Sequence, residues 1–249
     1  AGAHGKTTTT SMVSLVFEKT GLDPTVVVGG ELNDIGGNAK LGNGEYLVAE
    51  ADESDGSFLK LQPEITVVTN IEDDHLDYYG TRENIENAFI EFIMATPVQG
   101  FSVHCLEDPV LRRLFPTLKD KKKIFTYGFT KEADFYAENM VLNGNETKAD
   151  VYHHKEFLGQ LILNIPGRHN ILNALAAVVV GMNCGLDFQD VVASLQSFGG
   201  VQRRFQKIGD IGEIRIYDDY AHHPTEIKTT LTAARTMKPK RLVVVFQPH

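Results

Sequence analysis

The chain opens on a phosphate grip, Gly2-Ala3-His4-Gly5-Lys6-Thr7-Thr8-Thr9-Thr10. Glycines allow a tight turn that exposes backbone N–H groups. With the unsatisfied donors of a helix N-terminus, these make a concavity for polyphosphate. Lys6 is spaced to reach the outer phosphates and Thr7 to ligate Mg²⁺, so the pattern points to a nucleoside triphosphate. Such a loop demands a helix after it, and Met12, Leu15 and Val16 recur at helical spacing between Ser11 and Lys19, with Gly21 as a stop. It also demands a strand before it. That strand would fall ahead of Ala1, so the chain reads as a fragment.

The 249 residues suffice for one large or two ordinary domains, and 42% hydrophobic with 23% charged residues is the balance of a soluble globular protein. A formal net charge of −9 argues against nucleic acid as a partner, because a phosphate-backbone binder needs a basic face. Cys105 and Cys184 are far apart and outside any Cys-x-x-Cys spacing. Neither a disulfide framework nor a structural zinc site is indicated, and a reducing, cytoplasmic setting is expected. The longest apolar stretch, Ile171 to Met182, is interrupted by Asn173 and too short to span a bilayer, so no membrane association is expected.

Short apolar runs alternate with helical patterns. Val26 to Val28, Tyr46 to Ala49 and Ile65 to Val68 read as buried strands, Arg82 to Met94 as an amphipathic helix, Phe101 to Leu106 as a strand, Pro109 to Leu118 as a helix and Lys123 to Tyr127 as a strand. This predicts an α/β fold with a mostly parallel sheet and helices on its faces. Ala133 to Leu142 and Asp150 to Ile165 read as long strands around a turn at Asn143-Gly144-Asn145, a small antiparallel appendage. Asn170 to Met182 and Phe188 to Ser197 read as helices, the first alanine-rich and buried. Gly199-Gly200 is the best domain boundary, dividing residues 1–199 from the start of a second, Rossmann-like α/β domain over 200–249. There a strand (Ile214 to Tyr217), a helix (Thr225 to Met237) and a strand (Leu242 to Phe246) are expected.

Chemistry gathers where strands end. Glu50-Ala51-Asp52-Glu53-Ser54-Asp55 follows a buried strand. Carboxyl ends of strands form the ligand crevice of open α/β sheets, so Glu50 emerges where Mg²⁺ on the phosphates needs a hard oxygen ligand. The next strand runs into Thr69-Asn70-Ile71-Glu72-Asp73-Asp74-His75, and an imidazole among acids facing the same loop could hold a second divalent ion or orient a phosphate oxygen. Gly167-Arg168-His169-Asn170, with Asn173 one turn on, either caps a helix or reads the edge of a nucleobase. Arg203-Arg204 lies just past the glycine hinge and either sets a guanidinium on phosphate from the second domain or forms a solvated basic pair. Asp218-Asp219-Tyr220-Ala221-His222-His223-Pro224 offers carboxylates for ribose and imidazoles for a substrate. His153-His154 reads as a solvated turn.

These motifs, with Gly56-Ser57-Phe58 and the terminal Phe246-Gln247-Pro248-His249, together resemble the Mur ligase family, the ATP-dependent amide-forming enzymes of peptidoglycan precursor synthesis. The likeness runs through the whole chain in family order and is greatest to the alanine-adding branch. It implies that ATP phosphorylates the carboxylate of UDP-N-acetylmuramic acid and that L-alanine attacks the acyl phosphate. Residues 1–199 would be the central ATP-binding domain. Gly2, Ala3, His4, Gly5, Lys6, Thr7 and Thr8 would hold the phosphates; Thr7 and Glu50 one Mg²⁺, and His75 the second. His169, Asn170 and Asn173 would contact adenine, Arg204 a phosphate and Asp219 the ribose, with His222 and His249 on the substrate side. Lys6, Glu50, His75 and Arg204 would carry the catalysis. Several family members use a carbamylated lysine downstream of the histidine motif, whereas Leu76 to Leu118 contains no lysine. A related ligase that joins a preformed peptide to the same sugar nucleotide, and a nucleotide-binding fragment inactive by itself, are the competing expectations.

Overall fold

In a computed structural model, residues 1–32 and 36–247 are described. The phosphate loop leads directly into helix α1 (Lys6–Lys19), whose N-cap Gly5 has φ 79° and offers no side-chain cap. The helix ends where Gly21 turns left-handed at φ 81°, a conformation glycine adopts without a Cβ penalty. A three-stranded sheet follows: β1 (Thr25–Leu32), β2 (Gly37–Lys40) and β3 (Leu47–Ala49), in the order β2-β1-β3, with β3 parallel to β1 and β2 antiparallel.

A 3₁₀ turn (Ser57–Lys60) leads to the larger, six-stranded sheet. Its first part is β4 (Ile65–Val68), α2 (Leu76–Tyr79), α3 (Arg82–Met94), β5 (Phe101–Cys105), α4 (Pro109–Leu118) and β6 (Ile124–Gly128), all three strands parallel. Thr81 Oγ1 caps α3 by accepting from the Asn84 N–H, and Asp108 caps α4 by accepting from the Leu111 N–H. Asp108 also accepts from the Ile71 N–H, tying the start of α4 to the exit of β4. Strand β7 (Phe135–Asn143) pairs parallel with β6 and then antiparallel with β8 (Glu146–His153), which pairs with β9 (Glu156–Leu163). Helix α5 (Arg168–Asn183) is buried along most of its length and packs on α1, on α6 (Phe188–Gln196) and on strands β5 to β8. It is the centre of the core. The second unit is a hairpin, β10 (Gln206–Ile211) with β11 (Ile214–Asp218), and helix α7 (Pro224–Thr236).

The α/β expectation and the parallel, helix-flanked sheet are borne out, with four differences. Strands β1 to β9 form two sheets instead of one. Ala1 alone ladders onto β4, donating to the Val67 carbonyl at 2.9 Å and accepting from the Thr69 N–H at 3.2 Å. Between β3 and β4 lies a cavity of about 390 Å³, lined by Leu47, Val48, Ile65 and Val67 with Val13 and Phe17 of α1. Strands β1 and β3 are only half buried: Val26 is enclosed, but Val27 is 48% and Leu47 65% exposed. The appendage has a second turn, because Asp150 to Ile165 breaks at His154 and Lys155, non-glycine residues at φ 45° and 76°. Finally, Leu242 to Phe246 forms no strand. No strand among the described residues runs beside it, and an unpaired strand would leave its ladder groups without partners. Expectations placed on Pro248 and His249 lie outside the described residues.

Candidate nucleotide site

The loop glycines are dictated by close packing. A Cβ on Gly2 would sit 2.2 Å from Thr69 Oγ1, and one on Gly5 2.7 Å from Asn173 Oδ1. The loop is strapped to the exit of β4. The His4 carbonyl accepts from Thr69 Oγ1 at 2.6 Å and from Asn70 Nδ2 at 2.9 Å, while the His4 N–H donates to Asn70 Oδ1 at 2.9 Å. A loop fixed in this way holds the first amides of α1 toward a ligand, as anion binding at a helix N-terminus requires.

Two strand-end carboxylates meet the start of α1. Thr7 Oγ1 donates to Glu50 Oε1 at 3.0 Å, and Glu50 Oε2 accepts from the Gly29 N–H at 2.7 Å. Lys6 Nζ contacts Glu53 Oε1 at 2.5 Å, and His75 Nε2 lies 4.0 Å from the same oxygen. Glu53 is buried, its Oε2 has no hydrogen-bond partner among the described residues, and its backbone carbonyl accepts from the Tyr79 hydroxyl. Burial and the Glu53 charge push the Tyr79 phenol up to about 12. Sequence reasoning assigned Glu50 and passed over Glu53. Both stand in one acidic run, and nothing in the spacing says which of the acids beyond β3 turns inward.

The residues expected to contact base, ribose and phosphate gather around a second cavity of about 480 Å³. From the loop it is lined by His4, Gly5, Thr7 and Thr8; from α5 by His169, Asn170 and Asn173; and from the second unit by Arg204 and Asp219. Lys6 is absent from that lining and borders the cavity between the sheets, as does Ala1. Glu50, His75 and His222 line neither cavity.

Within this second cavity the asparagines are already engaged. Asn170 donates to the Pro166 carbonyl at 2.7 Å, Asn173 donates to Asn170 Oδ1 at 3.2 Å, and Asn173 Oδ1 accepts from Thr9 Oγ1 at 3.2 Å. They do not cap α5, whose N-cap is Gly167, but they couple α5 to α1 beneath the loop. His169 is held neutral by burial, which lowers its pKa to about 4. Asp219 accepts from the Ala221 N–H of its own turn and from the Phe205 N–H just before β10. Arg204 Nη1 lies 3.4 Å from Glu226 Oε1, and Arg203 sits over the Tyr220 ring at 4.7 Å. His222 Nδ1 lies 3.0 Å from the Tyr220 carbonyl.

A further group, unforeseen from sequence, joins the loop to α7. His4 Nε2 lies 3.2 Å from Glu72 Oε2 and its Nδ1 3.5 Å from Glu226 Oε1. Burial opposes charging of the His4 ring, but hydrogen bonds and charge from Glu226 and Glu72 outweigh it and raise the pKa. Burial likewise works against ionised Glu226, and His4, the His222 N–H and Arg204 overcome it, bringing the carboxyl down to about 2.

Comparison with known proteins gives the family. The Mur ligase middle domain matches residues 1–181, and the Mur ligase glutamate ligase domain matches residues 203–249. UDP-N-acetylmuramate--L-alanine ligases of Desulforamulus reducens and Pelotomaculum thermopropionicum are 54% and 57% identical over all of this chain, which covers 54% of each. The chain thus spans about half the length of the curated relatives it matches. Among solved structures, the UDP-N-acetylmuramate-alanine ligase of Thermotoga maritima superposes with a TM-score of 0.87 at 35% identity, covering 100% of this chain and 56% of that one. A MurF ligase of the same organism, solved in complex with ADP, shares the fold at a TM-score of 0.75 and 23% identity, over 93% of this chain and 55% of that one. With one family domain matching most of its length and a second matching most of the remainder, the chain belongs to the Mur ligase family.

Proposed function

We propose that the chain is the nucleotide-handling part of a ligase that joins L-alanine to UDP-N-acetylmuramic acid at the expense of ATP. The observation that carries this reading is the pairing of Lys6 and Thr7, adjacent at the start of α1, with separate strand-end carboxylates, Glu53 and Glu50. That arrangement suits a triphosphate with its cation, and the alanine-adding relatives supply the substrates.

Residues 1–199 then form the ATP-binding domain and 200–249 the start of the domain that closes on it. Lys6 and the free amides at the head of α1 hold the β- and γ-phosphates. Oxygen donors with one imidazole fit Mg²⁺, with Thr7 and Glu50 at one ion and His75 at a second; Mg²⁺ supplies charge neutralisation on the phosphates. Glu53 is the resting partner of Lys6, which exchanges that carboxylate for phosphate when nucleotide arrives. His169, Asn170 and Asn173 border the base, Asp219 the ribose, Arg204 the phosphates from the second unit, and His222 the substrate side.

In the reaction, a muramate carboxylate oxygen attacks the γ-phosphorus and the β–γ bridging oxygen leaves with ADP. The alanine amine then adds to the acyl carbon, loses a proton, and expels inorganic phosphate from the tetrahedral intermediate. The setting expected for such chemistry is the cytoplasm; among the described residues no helix is long and apolar enough to cross a membrane.

Calorimetry of Mg²⁺-dependent ATP binding to this chain and to Lys6→Ala tests the site. Binding in the parent that is lost in the variant is expected, and equal affinity in both would remove Lys6 from the role. In the full-length enzyme, ADP release should require both the sugar nucleotide and L-alanine; release with neither would overturn the ligase reading.

A further inference from the structure

The contact between the phosphate loop and α7 has the make-up of a metal centre. His4, Glu72 and His223 each present one ligand atom, all within 4.8 Å of one another. His4 Nε2 and His223 Nδ1 lie 3.2 Å and 3.8 Å from Glu72 Oε2, and the two imidazole rings are 4.8 Å apart. Ligands around a tetrahedral Zn²⁺ with bonds near 2.0–2.1 Å stand roughly 3.3 Å from each other. The observed spacings bracket that value, so small side-chain rotations close the set on a cation.

The outer partners of such a centre are also in place. A metal-bound histidine usually gives its other ring N–H to a carboxylate, which fixes the tautomer and the ring plane. His4 Nδ1 faces Glu226 Oε1 at 3.5 Å, and Glu226 is itself braced by Arg204. Glu72 Oε2 accepts from Thr225 Oγ1 at 3.1 Å. His223 is the N-cap of α7, its side chain accepting from the Thr225 N–H at 3.4 Å within a capping box shared with Glu226, a cap that a cation at Nδ1 would displace.

We infer that His4, Glu72 and His223 bind a borderline-soft divalent cation of the Zn²⁺ class, which pins the start of α7 to the phosphate loop. Two imidazoles select Zn²⁺, Co²⁺ or Ni²⁺ over Mg²⁺, which prefers oxygen. The centre is thereby separate in chemistry from Thr7 and Glu50, and it stands whether or not the nucleotide reading does.

Co²⁺ titration of the protein, followed by visible absorption, tests this. One equivalent should give the intense ligand-field bands of low-coordinate Co²⁺, displaced by stoichiometric Zn²⁺ and not by excess Mg²⁺. His223→Asn keeps a helix-capping side chain and Glu72→Gln keeps an acceptor for Thr225, so both should fold as the parent does by circular dichroism and lose the bands. Glu226→Gln should weaken Co²⁺ binding about tenfold or more. Altering His153 and His154 together should change nothing. Absent bands, bands that survive His223→Asn, or bands lost only with His153 and His154 would each overturn the inference. Should a variant unfold, paramagnetic broadening in the unaltered protein decides instead: it supports the centre at the ring protons of His4 and His223 and refutes it at other histidines.

Discussion

Gly5 carries two demands at once, a left-handed backbone and a surface without a Cβ against Asn173. Gly5→Ala should therefore destabilise the fold by about 1–3 kcal/mol, measured by urea unfolding, and weaken ATP binding by displacing the head of α1. A variant as stable as the parent would show that Asn173 yields without loss. At this scale the site was partly legible. A lysine and a threonine behind glycines read as a phosphate grip whatever surrounds them, and Thr7 and Glu50, read together from sequence, are joined by a hydrogen bond. Glu53, Glu72 and Glu226 were not legible in these roles, because which carboxylate of an acidic run turns inward depends on the backbone path after the strand. Asn170 and Asn173 show the converse, since their amides tie α5 to α1 before any ligand arrives.

Among the elements, α3 and α4 follow their sequence signals to the residue, since each has a capping side chain at its start and a strong apolar stripe. Thr81→Ala should cost about 1 kcal/mol in unfolding free energy through loss of the Asn84 hydrogen bond. Leu175 lies at the buried centre of α5, and Leu175→Ala should cost about 2–5 kcal/mol in the same measurement. Strands β2 and β10 escaped detection because Gly37-Asn38-Ala39-Lys40 and Gln206 to Ile211 carry little apolar alternation and owe their form to the neighbours they pair with. Leu242 to Phe246 has the opposite character, an apolar run with no ladder beside it among the described residues. Exposure separates the sheets as well: β5 is buried throughout, whereas Ile208, Ile211 and Ile214 of the β10–β11 hairpin are 57%, 68% and 66% exposed. Amide hydrogen exchange should accordingly be much faster in the hairpin than in β5 and β6, and equal protection would contradict that ordering.

For the whole molecule, stability should depend on two histidines that the fold keeps neutral. Burial lowers His104 to about 3 and His169 to about 4, both below the ordinary 6.5. The unfolded chain takes up protons at these rings below pH 6.5 while the folded chain does not, so their contribution to stability is complete above that pH. It falls as pH drops toward about 4 for His169 and about 3 for His104. The slope is about 1.4 kcal/mol per pH unit for each ring. Denaturant unfolding between pH 7 and pH 5 should show this decline, and His104→Gln should make it shallower. An unchanged slope in the variant would place the effect elsewhere. The α/β class was legible at this scale because helix and strand periods alternate along the chain. Docking of α7 through His4, Glu72 and Glu226 was not, since those residues are up to 222 positions apart and only the folded chain brings them together.

Asn70 grips both polar groups of the His4 peptide, its side-chain carbonyl and amide forming a closed two-bond ring with one residue of backbone. The His4 amide is thereby withdrawn from the supply of donors that a bound anion can use, leaving those at the head of α1. The loop is thus a receptor of limited valence, shaped by a side chain that lies beneath it. Asn70→Ala would return the His4 amide to solvent and loosen the aim of the remaining donors, and ATP affinity should fall through a residue whose polar atoms are committed to the loop itself.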